Sequence, residues 1–371
     1  MVLLPSALSS ITLLALFTSA TQALKTCTVA KSSTDDALTI VDAFKTCASG
    51  GNVVFTKGTT YTLKTFVKVT GLKDVNVQFY GTVKLPEFNT KYKNTDAYFR
   101  IEGSNINWDG GRVGTFQGNG QKWWDSNNRN SPTTLYMVAD NSVFKNFGIE
   151  SSPRYHMELS ESKNVTIEGI NIHTVSSSSN VPHNTDALDV YNSVDITFRD
   201  TVITNGDDCL SLKNNITNVI ATNITCTNGH GFSIGSLGKG DSWDFVSKVQ
   251  ISDSVCTNCQ NGVRIKTWPG GHGAVKDVTF DNIKLNNVDN PLVVTTHYCD
   301  NAAKKFCNGN DNVSLPISGI TFKDIQGSAS NVGKPVISID CATQTPCSGF
   351  TLTNVSIKPG RKSKANVCKN L

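Results

Sequence analysis

Asp186, Asp207, Asp208, His230, Arg264 and Lys266 are the residues of this chain whose types and spacing could together do chemistry. Asp186, Asp208 and His230 each stand two residues before a short apolar-x-apolar segment: Leu188-x-Val190, Leu210-x-Leu212 and Phe232-x-Ile234. Asn261 holds the same place before Val263-x-Ile265, and the steps between these four residues are 22, 22 and 31. If the segments are strands stacked in parallel, equivalent residues on neighbouring strands lie roughly 4.8 Å apart. The aspartates and the histidine then fall into one row, with Asp207 beside Asp208. Arg264 and Lys266 alternate with inward Val263 and Ile265 and so share the outer face. Carboxylates this close repel one another, so at least one should keep its proton above the ordinary range. A carboxylic acid beside ionised partners is what cleavage of a glycosidic bond needs: one group protonates the leaving oxygen while the others activate water. The outward His, Arg and Lys could hold a negatively charged sugar. Taken singly, adjacent aspartates read as a turn or a calcium site, and a histidine between Gly229 and Gly231 reads as a loop residue. Their common register favours catalysis.

The elements that must position this row are visible as a repeat. An apolar-x-apolar unit recurs as Val165-Thr166-Ile167, Ile196-Thr197-Phe198, Val219-Ile220-Ala221, Val249-Gln250-Ile251, Val278-Thr279-Phe280, Ile320-Thr321-Phe322 and Phe350-Thr351-Leu352. The steps are 31, 23, 30, 29, 42 and 30 residues. Each unit alternates like a strand, and a polar pair rich in Asp and Asn follows, which favours turns. The second strands include those that carry the polar row, with Leu292-x-Val294 continuing the series. Several short strands per repeat, without a helical period between them, predict an all-β chain folded as one right-handed parallel β-helix. An antiparallel sandwich has no reason to keep this register. Residues 36–46 have amphipathic helical spacing and are expected to cap the open N-terminal end, while 53–55, 75–79 and 101–108 read as early coils.

Composition agrees with one extended core. The chain has 371 residues, 38% of them hydrophobic, which excludes a disordered or collagen-like polymer. Only 17% are charged, while Asn occurs 37 times and not once in residues 1–50. The net charge of +4 gives no argument for nucleic acid. Residues 1–23 carry no charge and are apolar over 11–17, which reads as a secretory signal cleaved after Ala23, although the usual basic start is missing. That stretch is too short to span a membrane. The expected mature protein is residues 24–371: one domain, secreted, extracellular and monomeric, with no membrane or nucleic-acid partner and no metal or other cofactor. Eleven cysteines in an exported chain imply disulfides and one thiol left over; ordinary disulfide use is the preferred reading of Cys256-x-x-Cys259. Asn164, Asn215, Asn223, Asn312 and Asn354 begin glycosylation sequons.

Asn184-Thr185-Asp186, Gly206-Asp207-Asp208-Cys209, Gly229-His230-Gly231 and Arg264-Ile265-Lys266 occur in the order and spacing of the polygalacturonase family, the pectin-cleaving glycoside hydrolases. The similarity runs from about Cys27 to the C-terminal region, and residues 118–125 resemble the segment before the catalytic coils of the fungal members. The resemblance implies anomer-inverting hydrolysis of α-1,4-linked galacturonic acid in polygalacturonate or pectin. It makes Asp207 the general acid, gives Asp186 and Asp208 the activation of water, and has His230 support the site. It has Arg264 and Lys266 bind a sugar carboxylate, and Asn184 contact substrate or orient Asp186. Tyr298 lies near a Tyr that the family often places at the substrate. It also implies a Cys209–Cys226 disulfide, with Cys226–Cys256 the competitor offered by strand register; Cys341 and Cys347 are close enough in sequence to pair. Asn205-Gly206 before the paired Asp, Ser211-Leu212-Lys213 after it, and Gly235-Ser236-Leu237-Gly238 resemble fungal exo-acting enzymes more than endo-acting ones.

Exo action is therefore the preferred reading, with endo action on the same substrate as its alternative. A calcium-dependent pectate lyase and a non-catalytic carbohydrate-binding solenoid are the rivals from other classes. His272, after Trp268-Pro269-Gly270-Gly271, falls outside the row, and His297, Asp189, Arg154 and His156 are lesser cleft candidates. The Trp123-Trp124 pair reads equally well as packing.

Overall fold

The computed structural model describes Val2, residues 24–307 and residues 311–371, so the expected export signal over 1–23 lies, Val2 apart, outside the described residues. From Lys25–Thr28 to Val367–Lys369, 26 strands pair in parallel into one sheet wound as a right-handed β-helix. The repeat is the register itself. Val165, Ile196, Val219, Val249, Val278, Ile320 and Phe350 are partners coil upon coil, as are Ile167, Phe198, Ala221, Ile251, Phe280, Phe322 and Leu352. Up to Phe322 these side chains are buried, so the apolar alternation of each strand becomes one inner column. The long 42-residue step holds the connection 296–316, in which Cys299–Cys307 closes a short loop around the turn Asn301–Phe306.

The abundance of Asn has its cause at the turns. Asn105, Asn141, Asn164, Asn218, Asn223, Asn282 and Asn354 have φ between 48° and 59°. That left-handed region is costly for most side chains and tolerated by Asn. Asn105, Asn164, Asn218, Asn223, Asn282 and Asn354 each donate from Nδ2 to an Asp or Asn on the preceding coil, at 2.5–2.9 Å. Side-chain ladders thus continue at the corners where strand pairing lapses.

The N-terminal helix α1 (Asp36–Thr46) forms where its spacing predicts. Asp35 caps it by accepting from the Ala37 N–H, and Ile40, Ala43 and Phe44 turn inward. The Phe44 ring lies 6.2–6.3 Å from those of Phe55, Phe99 and Trp108, closing the end of the core column. Asn218 gives a direct test of the corner argument. Asn218→Gly loses the amide bond but keeps the conformation, whereas Asn218→Ala must also hold a left-handed φ. The Ala variant should be less stable by about 1 kcal/mol, read from the denaturant midpoint. Equal midpoints would show that the corner does not need a left-handed residue.

Candidate active site

Five neighbouring strands, Leu188–Tyr191, Leu210–Leu212, Phe232–Leu237, Asn261–Thr267 and Asn290–Thr295, build one outer face. Their register stacks Asp189, Ser211, Ser233, Arg264 and Val293 in one column. The two serines leave room that larger side chains would fill. Into it reach Asp208 from one side and Arg264 and Lys266 from two coils away. The Arg264 Nη2 lies 2.8 Å from Asp208 Oδ1, and the Lys266 Nζ lies 2.8 Å from Oδ2. Ser233 donates its hydroxyl to Asp208 Oδ1 at 2.8 Å while accepting from the Arg264 Nε–H at 3.1 Å. Burial alone would raise the Asp208 carboxyl; Lys266 and Arg264 outweigh it and hold the group well below the usual carboxylate range.

Asp207 is served by a different set of donors. His230 Nδ1 lies 2.9 Å from Oδ1, the Asp208 N–H donates to that same oxygen at 2.9 Å, and the Asn184 N–H donates to Oδ2 at 3.1 Å. Burial works against the ionised form, but the hydrogen bond and charge of His230 prevail and lower Asp207. Asn184, expected to contact substrate or orient Asp186, sits at φ 52° in the cavity lining, with its Nδ2 3.5 Å from Asp207 Oδ2.

Asp186 differs: it is 3% exposed, and its Oδ1 has no hydrogen-bond partner among the described residues. Burial first, then the Asp189 and Asp207 charges, push its carboxyl well above the usual range. Asp189, an outward residue by alternation, is fully buried, with Lys213 Nζ 3.7 Å from its Oδ1 and the Tyr191 hydroxyl 3.4 Å from its Oδ2. Burial raises Asp189 too, against the opposing Lys213 charge. Beneath lies His156, buried, with Nδ1 3.0 Å from the Asp186 carbonyl oxygen and Nε2 2.7 Å from Thr174 Oγ1. Burial pushes His156 down to about 4, so it is a neutral prop under the strand and not a cleft residue.

The carboxylates line a cavity of about 330 Å³ together with Asn184, Lys266 and Tyr298, all expected from the sequence. Tyr298 packs edge-on against Trp268, with ring centroids 5.1 Å apart, and lies 5.5 Å from Lys266 Nζ. Tyr155, Tyr191, Lys213, Ser236, Lys239 and Trp268 also line it and were not legible as site residues. Lys213, Lys239 and Trp268 follow strand ends, where alternation no longer predicts direction. Of the lesser candidates, His272 stacks on exposed Trp243, His297 faces Asp311 and Asp340, and the Arg154 guanidinium lies over the Tyr155 ring. Trp123 and Trp124 are buried, which is packing.

Cys209–Cys226 and Cys341–Cys347 are both bonded, and Cys27–Cys47 and Cys299–Cys307 join them. Three thiols remain where one was expected: Cys256, Cys259 and Cys368. Cys256 is in register with Cys226, but Cys226 bonds across its own coil to Cys209. Cys259 directs its sulfur at the Cys226 and Thr257 carbonyls, so the C-x-x-C is not a disulfide.

Residues 47–371 match the family described as glycosyl hydrolases family 28. The chain belongs to glycosyl hydrolase family 28. Exopolygalacturonase rpg16 of Rhizopus delemar is 49% identical over 95% of this chain and 91% of its own length. Exopolygalacturonase rpg15 of the same fungus is 46% identical over 94% and 90%. Among solved structures, endo-xylogalacturonan hydrolase from Aspergillus tubingensis superposes with a TM-score of 0.82 at 26% identity, covering 93% of this chain and 97% of that one.

This glycosyl hydrolase therefore carries two lowered carboxyls, Asp207 and Asp208, and two raised ones, Asp186 and Asp189. Asp186 and Asp189 act on each other, so the proton affinity that is raised belongs to the pair. The rate constant kcat/KM of the glycosidase should follow a bell whose acidic limb lies below the ordinary aspartate value and whose alkaline limb lies above it. Asp189→Asn removes a charge that pushes Asp186 up, so it should move the alkaline limb down and leave the acidic limb in place. An unmoved alkaline limb would disconnect Asp189 from the titration.

Proposed function

We propose that the chain is a secreted, single-domain, monomeric hydrolase of polygalacturonate, the anionic backbone of pectin. It cleaves α-1,4 bonds between galacturonic acid residues with inversion and releases galacturonic acid from chain ends. The observation that carries this reading is Asp208, held ionised between Arg264 and Lys266 in one cleft with Asp207 and Asp186. Exo action is favoured by the 49% identity to a protein named exopolygalacturonase. The five sequon asparagines are exposed, which suits glycan acceptors.

In the proposed turnover Asp207 gives its proton to the leaving glycosidic oxygen as the C–O bond breaks. Water attacks the anomeric carbon from the opposite face, and Asp186 with Asp208 takes its proton. His230 and Asn184 hold Asp207, while Arg264, Lys266 and Tyr298 face the sugar. The cycle leaves the proton on Asp186, the carboxyl whose protonated form burial and its neighbours favour. Return of that proton to Asp207 resets the site without changing its charge. The same observation favours a second reading, with Asp186 as the acid. The two separate on an aryl galacturonide, whose phenol leaves without protonation. Asp207→Asn should lose roughly a thousandfold on polygalacturonate and recover most of it on the aryl substrate. Recovery by Asp186→Asn instead would exchange the roles.

The lyase reading fits the donor set less well. Asp207, Asp208 and His230 lie close enough together to hold a cation, but both Asp208 oxygens are already engaged by Arg264, Lys266 and Ser233. Activity should survive a chelator and yield no ultraviolet-absorbing unsaturated ends. Calcium dependence with such ends would replace hydrolysis by elimination.

A further inference from the structure

The cations assigned to the sugar carboxylate are already in use. Arg264 and Lys266 each lie 2.8 Å from Asp208, and Lys213 lies 3.7 Å from Asp189. Their charge first compensates buried carboxylates of the protein, which limits what they offer to a substrate anion. Lys239 differs. It lines the same cavity but makes no ion pair within 4 Å among the described residues. Its ammonium is held by rings instead, 5.6 Å from the centroid of Trp268 and 5.0 Å from that of Phe306. Such a setting keeps a cation in place and partly desolvated without neutralising it.

An unpaired donor belongs to the same cavity lining. Trp268 is 1% exposed, and its Nε1–H has no acceptor among the described residues. A buried indole donor left unpaired is costly, and an incoming acceptor would relieve it. The chain places these groups by joining two loops. Gly240, at φ 64°, sits so near Phe306 that a Cβ there would lie 2.8 Å from the ring. Phe306 in turn belongs to the loop that Cys299–Cys307 closes. Asp244, which also lines the cavity, is committed to the Gly238 N–H and the Ser242 hydroxyl at 2.6 and 2.8 Å.

We infer that Lys239 is a specificity-determining residue that binds the carboxylate of a galacturonate unit, with the Trp268 indole N–H as the accompanying donor. The inference rests on the polygalacturonate reading above and names the residue that reads the sugar's charge. Lys239→Met should raise KM for oligogalacturonates about tenfold, the effect of losing one partly desolvated ion pair, while kcat changes little. It should also reduce the preference for the free acid over the methyl ester. Lys239→Arg, which keeps the charge, should stay close to the parent in both respects, and an unchanged unfolding midpoint excludes misfolding of the Met variant. If the parent hydrolyses polygalacturonate while Lys239→Met keeps its KM and ester discrimination, the inference about Lys239 falls and the function stands. If the parent does not act on polygalacturonate at all, the functional reading falls and takes the inference with it.

Discussion

Parallel in-register stacking of successive coils is the constraint on which the rest of this molecule depends. Once one coil is paired to the next through its backbone, a residue type repeated at the coil period becomes a column roughly 4.8 Å in spacing. Apolar repeats become the core, as from Val165 to Ile320, and left-handed Asn repeats become corner ladders. Polar residues placed once or twice in such a column become a site. No separate scaffold is needed, because the sheet that buries the core also presents the cleft.

Concentrating carboxylates on one buried face carries an electrostatic cost, and the arrangement of the site follows from how each is compensated. Asp208 has two cations, Asp207 has an imidazole and two backbone donors, and Asp186 has an Oδ1 with no hydrogen-bond partner among the described residues. Three aspartates on two coils thereby acquire different affinities for a proton, which is the general requirement for acid and base work in one cleft. Small side chains are as necessary as charged ones here. Ser233 occupies the column position between them, its hydroxyl bridging Arg264 and Asp208 where a larger apolar residue would break the link.

Much of this was legible in the sequence, because period and alternation survive translation into structure. The capping helix spans Asp36–Thr46 as its spacing predicts, and the seven apolar-x-apolar units are the seven paired strands. Of the expected site residues, Asp186, Asp208 and Lys266 line one cavity, and His230 and Arg264 pair with its aspartates Asp207 and Asp208. What escaped depends on side-chain direction beyond strand ends and on burial. Asp189 alternates outward yet is covered by Lys213 and Tyr191, Asn184 turns to Asp207, and Lys239 enters the cleft from a loop. Register also placed Cys256 beside Cys226 without revealing that Cys226 bonds within its own coil.

The central claim is that ionised carboxylates activate water while a protonated one serves the leaving oxygen, in a single displacement. The anomeric configuration of the first product, followed by proton NMR before mutarotation, tests it most directly. From the α-linked polymer a single displacement yields β-galacturonic acid at the newly formed reducing end. First appearance of the α anomer would mean a covalent intermediate on one of the three aspartates, and the roles assigned to them would be wrong.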